Sequence, residues 1–275
     1  MASTQTLADV VAVLDELFPP AGAEAWDRVG LVTGRLDQEV SSIRLVVDVV
    51  AHTVAEAVAD SVDLVVAHHP LLLRGVHSVA EDEYKGALVS SLIRNDTALY
   101  SAHTNADAVD VGTSETLAKA LGVSSLAPIQ EGASPSSGIG RVGVLKKPVS
   151  LYDLATALGK LVPQCASGIR VSGNAEAMVK TVALCTGAGD SLLGHPLVRD
   201  ADVYITGDLR HHPASEAQEN RLHGHGPALI DVSHFASEWF FLDTVKAVLE
   251  KKLPGVSVSV SEIVTDPWDF VVHPS

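Results

Sequence analysis

Two histidines stand side by side at the end of an apolar run, in "DLVVAHHP" (63–70). A second His-His-Pro follows in "TGDLRHHP" (206–213). Two further units have a histidine four residues before an acid: His103 and Asp107 in "SAHTNAD", and His234 and Glu238 in "SHFASE". Imidazole is the commonest side-chain ligand of transition metals, and carboxylates complete oxygen-rich sites. In open α/β sheets ligands bind at the carboxyl ends of strands. His68 and His69 fall just past such an end, where Pro70 stiffens the exit and each ring can face a different ion. If a helix has begun by His234, Glu238 stacks on the same face one turn later. The set His68, His69, Asp107, His234 and Glu238 brings three nitrogens and two carboxylates. That suits two divalent ions per chain, of the Zn, Mn, Fe, Co or Ni type, held about 3.5–4 Å apart as in two-metal hydrolases.

The elements that must position these residues are legible as alternating patterns. "SIRLVVDVV", "DLVVA" and "TALYSA" read as strands, and "HTVAEAVAD", "DEYKGALVSSLIRN" and "TSETLAKALG" as helices. Thr53 and Glu56 have the spacing of a capping box with Thr53 as its cap. Continuous apolar strands joined by helices predict an α/β fold with largely parallel sheets. The Gly/Ser/Pro-rich stretch 127–140 reads as a linker between a first lobe, 1–126, and a second, 141–275, whose C-terminal segment is free to pack back on the first. The lobes look alike. "TLADVVAVLDELFPP" (6–20) aligns without a gap on "SLYDLATALGKLVPQ" (150–164), and each lobe then carries His-His-Pro and His-x3-acid in that order. Internal duplication into two similar α/β lobes follows.

Composition narrows the function classes. The chain has 275 residues, 47% hydrophobic and 19% charged, with a formal charge of −15. Such a surface repels phosphate backbones and anionic membranes, which disfavours nucleic acid and membrane partners, and it tolerates divalent cations. "MASTQTLADV" has no basic and apolar leader pattern, and no apolar run reaches the roughly 18 residues of a span, so a cytoplasmic location is expected. Cys165 and Cys185 are too few for a disulfide framework and read as small buried residues. "CTGAGDS" (185–191) fits no nucleotide fingerprint and reads as a tight turn. Arg210 reads as solvated, and Trp26, Trp239 and Trp268 as packing residues.

The motifs "EAWDRVGLVTG", "AHHPLL", "SAHTNAD", "YITGDLRHH" and "DVSHFASEW", in this order, resemble the NIF3-like family, whose members are also named GTP cyclohydrolase 1 type 2 homologs. The resemblance covers most of the chain. It implies a dinuclear metal centre on His68, His69, Asp107, His234 and Glu238, in a metal-binding cleft between the two α/β lobes, and a homohexamer. His103 and His212 match positions near the metals outside the ligand set, which makes them candidate proton carriers. Ser233 stands where the family usually has Gly. The implied activity is metal-dependent hydrolysis of a nucleotide such as GTP by a metal-activated bridging water. The competing reading is a non-enzymatic metal-binding or regulatory scaffold.

Overall fold

The structure, a computed structural model, describes residues 5–134 and 136–274. Residues 1–4 of the N-terminal stretch and Pro135 of the expected linker lie outside the described residues. The strands run, in chain order, β1 Gln5–Thr6, β2 Gly30–Thr33, β3 Glu39–Val40, β4 Ser42–Val46, β5 Leu64–Ala67, β6 Ala98–Ser101, β7 Val123–Glu131, β8 Gly138–Ser150, β9 Arg170–Ser172, β10 Met178–Ala188, β11 Val203–Gly207, β12 Ala228–Val232 and β13 Ser257–Val260. The α-helices are α1 Leu7–Leu17, α2 Ala51–Ala59, α3 Tyr84–Arg94, α4 Thr104–Asp107, α5 Thr113–Ala120, α6 Leu151–Gly159, α7 Pro196–Arg199, α8 His211–Leu222, α9 His234–Trp239 and α10 Phe241–Lys252.

The chain divides into two units. The first comprises Met1–Ala106 and Leu242–Thr265. Its main sheet has the order β13-β4-β5-β6-β2, with β13, β4, β5 and β6 parallel and β2 antiparallel at the edge. Strands β5 and β6 are buried at every position, as their unbroken apolar runs require of a covered parallel sheet. The exception in β4 is Arg44, only 8% exposed. Its charge is met by Glu56 and Asp60, each at 2.7 Å, and its Nε donates to Ser259 Oγ of β13 at 2.8 Å.

The second unit comprises Asp107–Phe241 and Asp266–Ser275. Its sheet has the order β7-β8-β10-β11-β12-β9, with β10, β11 and β12 parallel and the rest antiparallel. Arg141 of β8 is 1% exposed and pairs with Glu115 of α5. Its remaining donors reach the carbonyls of Gly138 at 2.6 Å, Gly140 at 2.7 Å and Val109 at 3.2 Å. Removing one side of so enclosed a pair strands the other, so the pair pins α5 to the sheet.

The matching helices carry the likeness between units into three dimensions. Thr6 caps α1 by accepting the Asp9 N–H, and Ser150 caps α6 by accepting the Asp153 N–H. The buried positions also correspond: Leu7, Val10 and Leu14 in α1, Leu151, Leu154 and Leu158 in α6.

Two expectations need correction. Residues 127–140 are not a free linker, because most of them lie in the hairpin of β7 and β8. The small residues are explained by tight packing: a Cβ on Gly138 would lie 2.1 Å from the Gln130 carbonyl oxygen. The units divide instead at Ala106 and Asp107. Thr53 is not the cap of α2. The helix starts at Ala51, and the Thr53 hydroxyl accepts the Val50 N–H at 3.0 Å and donates to the Asp48 carbonyl at 2.9 Å.

Asp63 sets the register of β4 against β5. Its carboxylate accepts the N–H and hydroxyl of both Ser41 and Ser42, at 2.7–2.9 Å. Burial raises its pKa, but these bonds outweigh it and hold the carboxyl below its ordinary value of 3.8. A depressed carboxylate stabilises the fold above its unfolded value, and that contribution disappears as pH falls through the folded one. Asp63→Asn is therefore expected to cost about 1–2 kcal/mol at neutral pH, allowing for its partial exposure. Urea titrations should show the difference from wild type shrinking as pH drops below 3.8.

Candidate functional site

In the first unit the register of β5 with β6 pairs Ala67 with Ser101. The ladder continues one step further, the Ala102 N–H bonding the Ala67 carbonyl at 2.9 Å. His68, 1% exposed, thereby lies beside Ala102, and its Nδ1 meets the Ala102 carbonyl at 2.9 Å. A carbonyl only accepts, so Nδ1 carries the proton and Nε2 is the ligand nitrogen. His69 is held by Asp48, which follows β4, with Nδ1 at 2.7 Å from Oδ1. Beyond the strand end the alternation of faces lapses, and the two rings come to 5.0 Å between centroids. His103 completes the group, its ring 5.2 Å from that of His68 and 5.4 Å from that of His69. One potential ligand atom from each of the three lies within 4.8 Å of the others.

His103 has a tether that the sequence reading missed. Asp27, 6% exposed, takes its Nδ1 at 2.8 Å. The other Asp27 oxygen accepts the Thr104 N–H at 3.0 Å and hydroxyl at 2.6 Å. Burial pushes this carboxyl up, but the bonds from His103 and Thr104 and the nearby imidazole charge prevail, holding it well below the carboxylate range. Asp27 lies in "EAWDRVGLVTG", a motif quoted above without a chemical role.

The second unit carries its own histidine and carboxylate at equivalent strand ends. Gly207 of β11 pairs with Val232 of β12. The residue after β11 is Asp208, in the left-handed region at φ 54°, and its Oδ2 holds His234 Nδ1 at 2.8 Å. Ser233 caps α9, accepting the Ala236 N–H at 3.4 Å, so the Gly-to-Ser departure supplies a helix cap. The helix has begun at His234, as the spacing requires, and Nε2 lies 3.2 Å from Oε1 of Glu238, itself 3% exposed. Burial alone would lower the His234 pKa. Glu238 and Asp208 instead push it up to about 11, so the carboxylates around this ring select for positive charge.

Close backbone approach leaves room for these groups. Gly187, at φ 66° in "CTGAGDS", lies where a Cβ would come within 2.3 Å of Glu238 Oε1 and 3.3 Å of His234 Nε2. Its N–H donates to Ser237 at 2.9 Å. Next to it, Thr186 donates to Thr113 at 2.7 Å, and Thr113 donates to Asp107 at 2.5 Å. Asp107 and Glu238 also act on one buried thiol. Burial, with their charges, raises Cys185 to about 12.

The second His-His-Pro does not repeat the first. Asp208, Leu209 and Arg210 intervene after β11, so His211 and His212 open α8 in exposed positions, 5.1 Å apart between ring centroids. They line a separate cavity of about 620 Å³ in this unit with Arg199 and Asp190, which pairs with Arg210. Arg210 is thus ion-paired as well as solvated. Among the described residues, His211 and His212 belong to no group of three potential ligands.

The donors fit divalent transition metals. Imidazole nitrogens backed by oxygens and buried carboxylates are the donor set such ions take, and Glu238 and His234 present such donors side by side, 3.2 Å apart.

No helix among the described residues is long and apolar enough to cross a membrane. A GTP cyclohydrolase 1 type 2 homolog of Streptomyces coelicolor is 44% identical over 270 residues, covering 95% of this chain and 93% of that one. NIF3-like protein 1 of Drosophila melanogaster is 30% identical, with 96% and 89% covered. Among solved structures, a Staphylococcus aureus hypothetical protein superposes with a TM-score of 0.86 at 27% identity, covering 98% of this chain and all of that one. The family model Duf34/NIF3 (NGG1p interacting factor 3) matches residues 5–267, and the chain belongs to that family.

Proposed function

We propose that the chain is a metal-dependent hydrolase in which His68, His69, Asp107, His234 and Glu238 hold two divalent ions. The observation that carries the reading is the tether on each histidine. Nδ1 of His68, His69 and His234 is taken by a carbonyl or a carboxylate. This outer bond fixes the tautomer and the ring orientation of metal-ligating histidines. Bound divalent metals would polarise the scissile bond and lower the pKa of a water toward neutrality. His103 serves as the proton carrier: Asp27 holds Nδ1, and Nε2 accepts and returns the proton. His212, outside both halves, is the weaker candidate for that role. The likeness to GTP cyclohydrolase 1 type 2 homologs favours a purine nucleotide substrate. A homohexamer is proposed with it on family likeness.

Metal analysis checks the ligand set. His68→Ala and His234→Ala should each lower zinc or manganese stoichiometry below wild type. Unchanged stoichiometry in both would refute the assignment, and full metal with no turnover on any nucleotide would favour the scaffold reading. His103→Ala should keep the wild-type metal content and lose roughly 10²–10⁴-fold in rate. Loss of a metal in that variant would make His103 a ligand.

Gly187→Ala tests the second half alone. The added methyl must displace Glu238, and φ 66° strains any L residue there. Metal content should drop while the circular dichroism spectrum stays native. Light scattering checks the assembly, and a 28.8 kDa species would exclude the hexamer.

A further inference from the structure

Trp26 is out of place as a packing residue. Its side chain is 56% exposed although the loop that carries it is firmly held. The Glu24 N–H donates to Thr104 Oγ1 at 2.9 Å, the Asp27 N–H to the Glu24 carbonyl at 2.9 Å, and the Asp27 carboxylate takes both Thr104 donors. Exposure here does not come from a loose chain. A fixed backbone presents the largest apolar side chain to solvent.

The indole lies beside His103. The ring centroids are 5.8 Å apart at 78°, an edge contact. In either sense of that contact at most one indole face is used. His103 in turn touches the rings of His68 and His69. The exposed indole face is therefore continuous with the imidazole cluster, and its backbone is already held, which lowers the entropic cost of using it. Trp268, 68% exposed, is likewise not the packing residue expected of it.

We propose that Trp26 is a stacking platform for a planar heteroaromatic ring, positioning a nucleobase-like substrate beside His103. The inference rests on the metal-site reading for its place in catalysis, but ring binding itself does not depend on it. An indole face recognises flat π-systems without reading their hydrogen-bond edges, so the platform accepts several bases. It gives no affinity to a sugar phosphate that lacks the ring.

Calorimetric titration of the full chain with guanosine, adenosine and ribose 5-phosphate, with and without zinc, tests this. Both nucleosides should bind wild type. Trp26→Ala should weaken them roughly ten- to a hundredfold, the range of one base-stacking contact. Ribose 5-phosphate should be unaffected. Trp26→Phe should retain binding within about threefold, whereas Trp26→Leu, apolar but not aromatic, should behave like alanine. Zinc content of all three variants should equal wild type, which separates the platform from the ligand set. If zinc fails to bind wild type yet nucleoside affinity still follows the aromatic ring at position 26, the metal reading falls and the platform stands. No nucleoside binding to wild type at millimolar concentration would overturn the platform. So would nucleoside affinities in Trp26→Ala within twofold of wild type, and so would equal rescue by Leu and Phe. If Trp26→Ala breaks up the assembly in light scattering with nucleoside affinity unchanged, the indole is a contact between copies and the proposal is wrong.

Discussion

A hydrogen bond from an imidazole Nδ1 to a fixed oxygen recurs at His68, His69, His103 and His234, and the chemistry available to the chain depends on it. An untethered histidine has two tautomers and a free ring torsion. Anchoring Nδ1 removes both freedoms and leaves Nε2 as the reactive atom. The partners differ in charge. The Ala102 carbonyl is neutral, whereas Asp48, Asp27 and Asp208 place a carboxylate behind the ring. Each tether depends on a sheet or a stapled loop: β6 carries Ala102 into register with His68, and Thr104 fixes Asp27.

The same strand-end geometry serves each unit differently. In the first, the residue after β5 is His68, a candidate ligand. In the second, the residue after β11 is Asp208, which tethers His234. His103 and His234 follow β6 and β12 at the same offset, yet His103 is anchored by Asp27 from the β2 side of the sequence and His234 by its neighbouring strand end. The two units thus share a frame of three parallel strands, capped helices and a histidine after the third strand. The division of labour came from what stands at the middle strand's end. The three residues inserted before His211 moved the second histidine pair into the first turn of a helix and away from that position.

The parallel strands were legible because burial on both faces forces unbroken apolar runs, and the strand-end histidines because they interrupt such runs. His234 and Glu238 were legible because one helical turn is a local spacing. The tethers were not. Asp48, Asp27 and Asp208 are single acids in loops, and each acquires meaning only from a partner 21, 76 or 26 positions away. Residues 127–140 misled for a related reason: glycine and serine mark a flexible connector or a crowded hairpin equally well, and only the neighbouring Gln130 carbonyl distinguishes them. Exposure of Trp26 was equally hidden, since a tryptophan's size argues for burial unless something else fixes its loop.

Charge ties these local facts together. The chain carries −15, and it still places carboxylates where solvent cannot screen them. Glu238 is 3% exposed and Asp27 6%. Burying an ionised carboxylate is costly unless a cation or several donors meet it. Asp27 is met by Thr104 and His103, which settles its charge inside the first unit. Glu238 and Asp107 lean on the same buried thiol, and Glu238 with Asp208 drives His234 toward its cationic form. In the second unit the excess negative charge is therefore built in by packing. It favours a compact cation at Glu238 and His234, whose side chains pack so close to Gly187 that a Cβ there would clash with the Glu238 carboxylate.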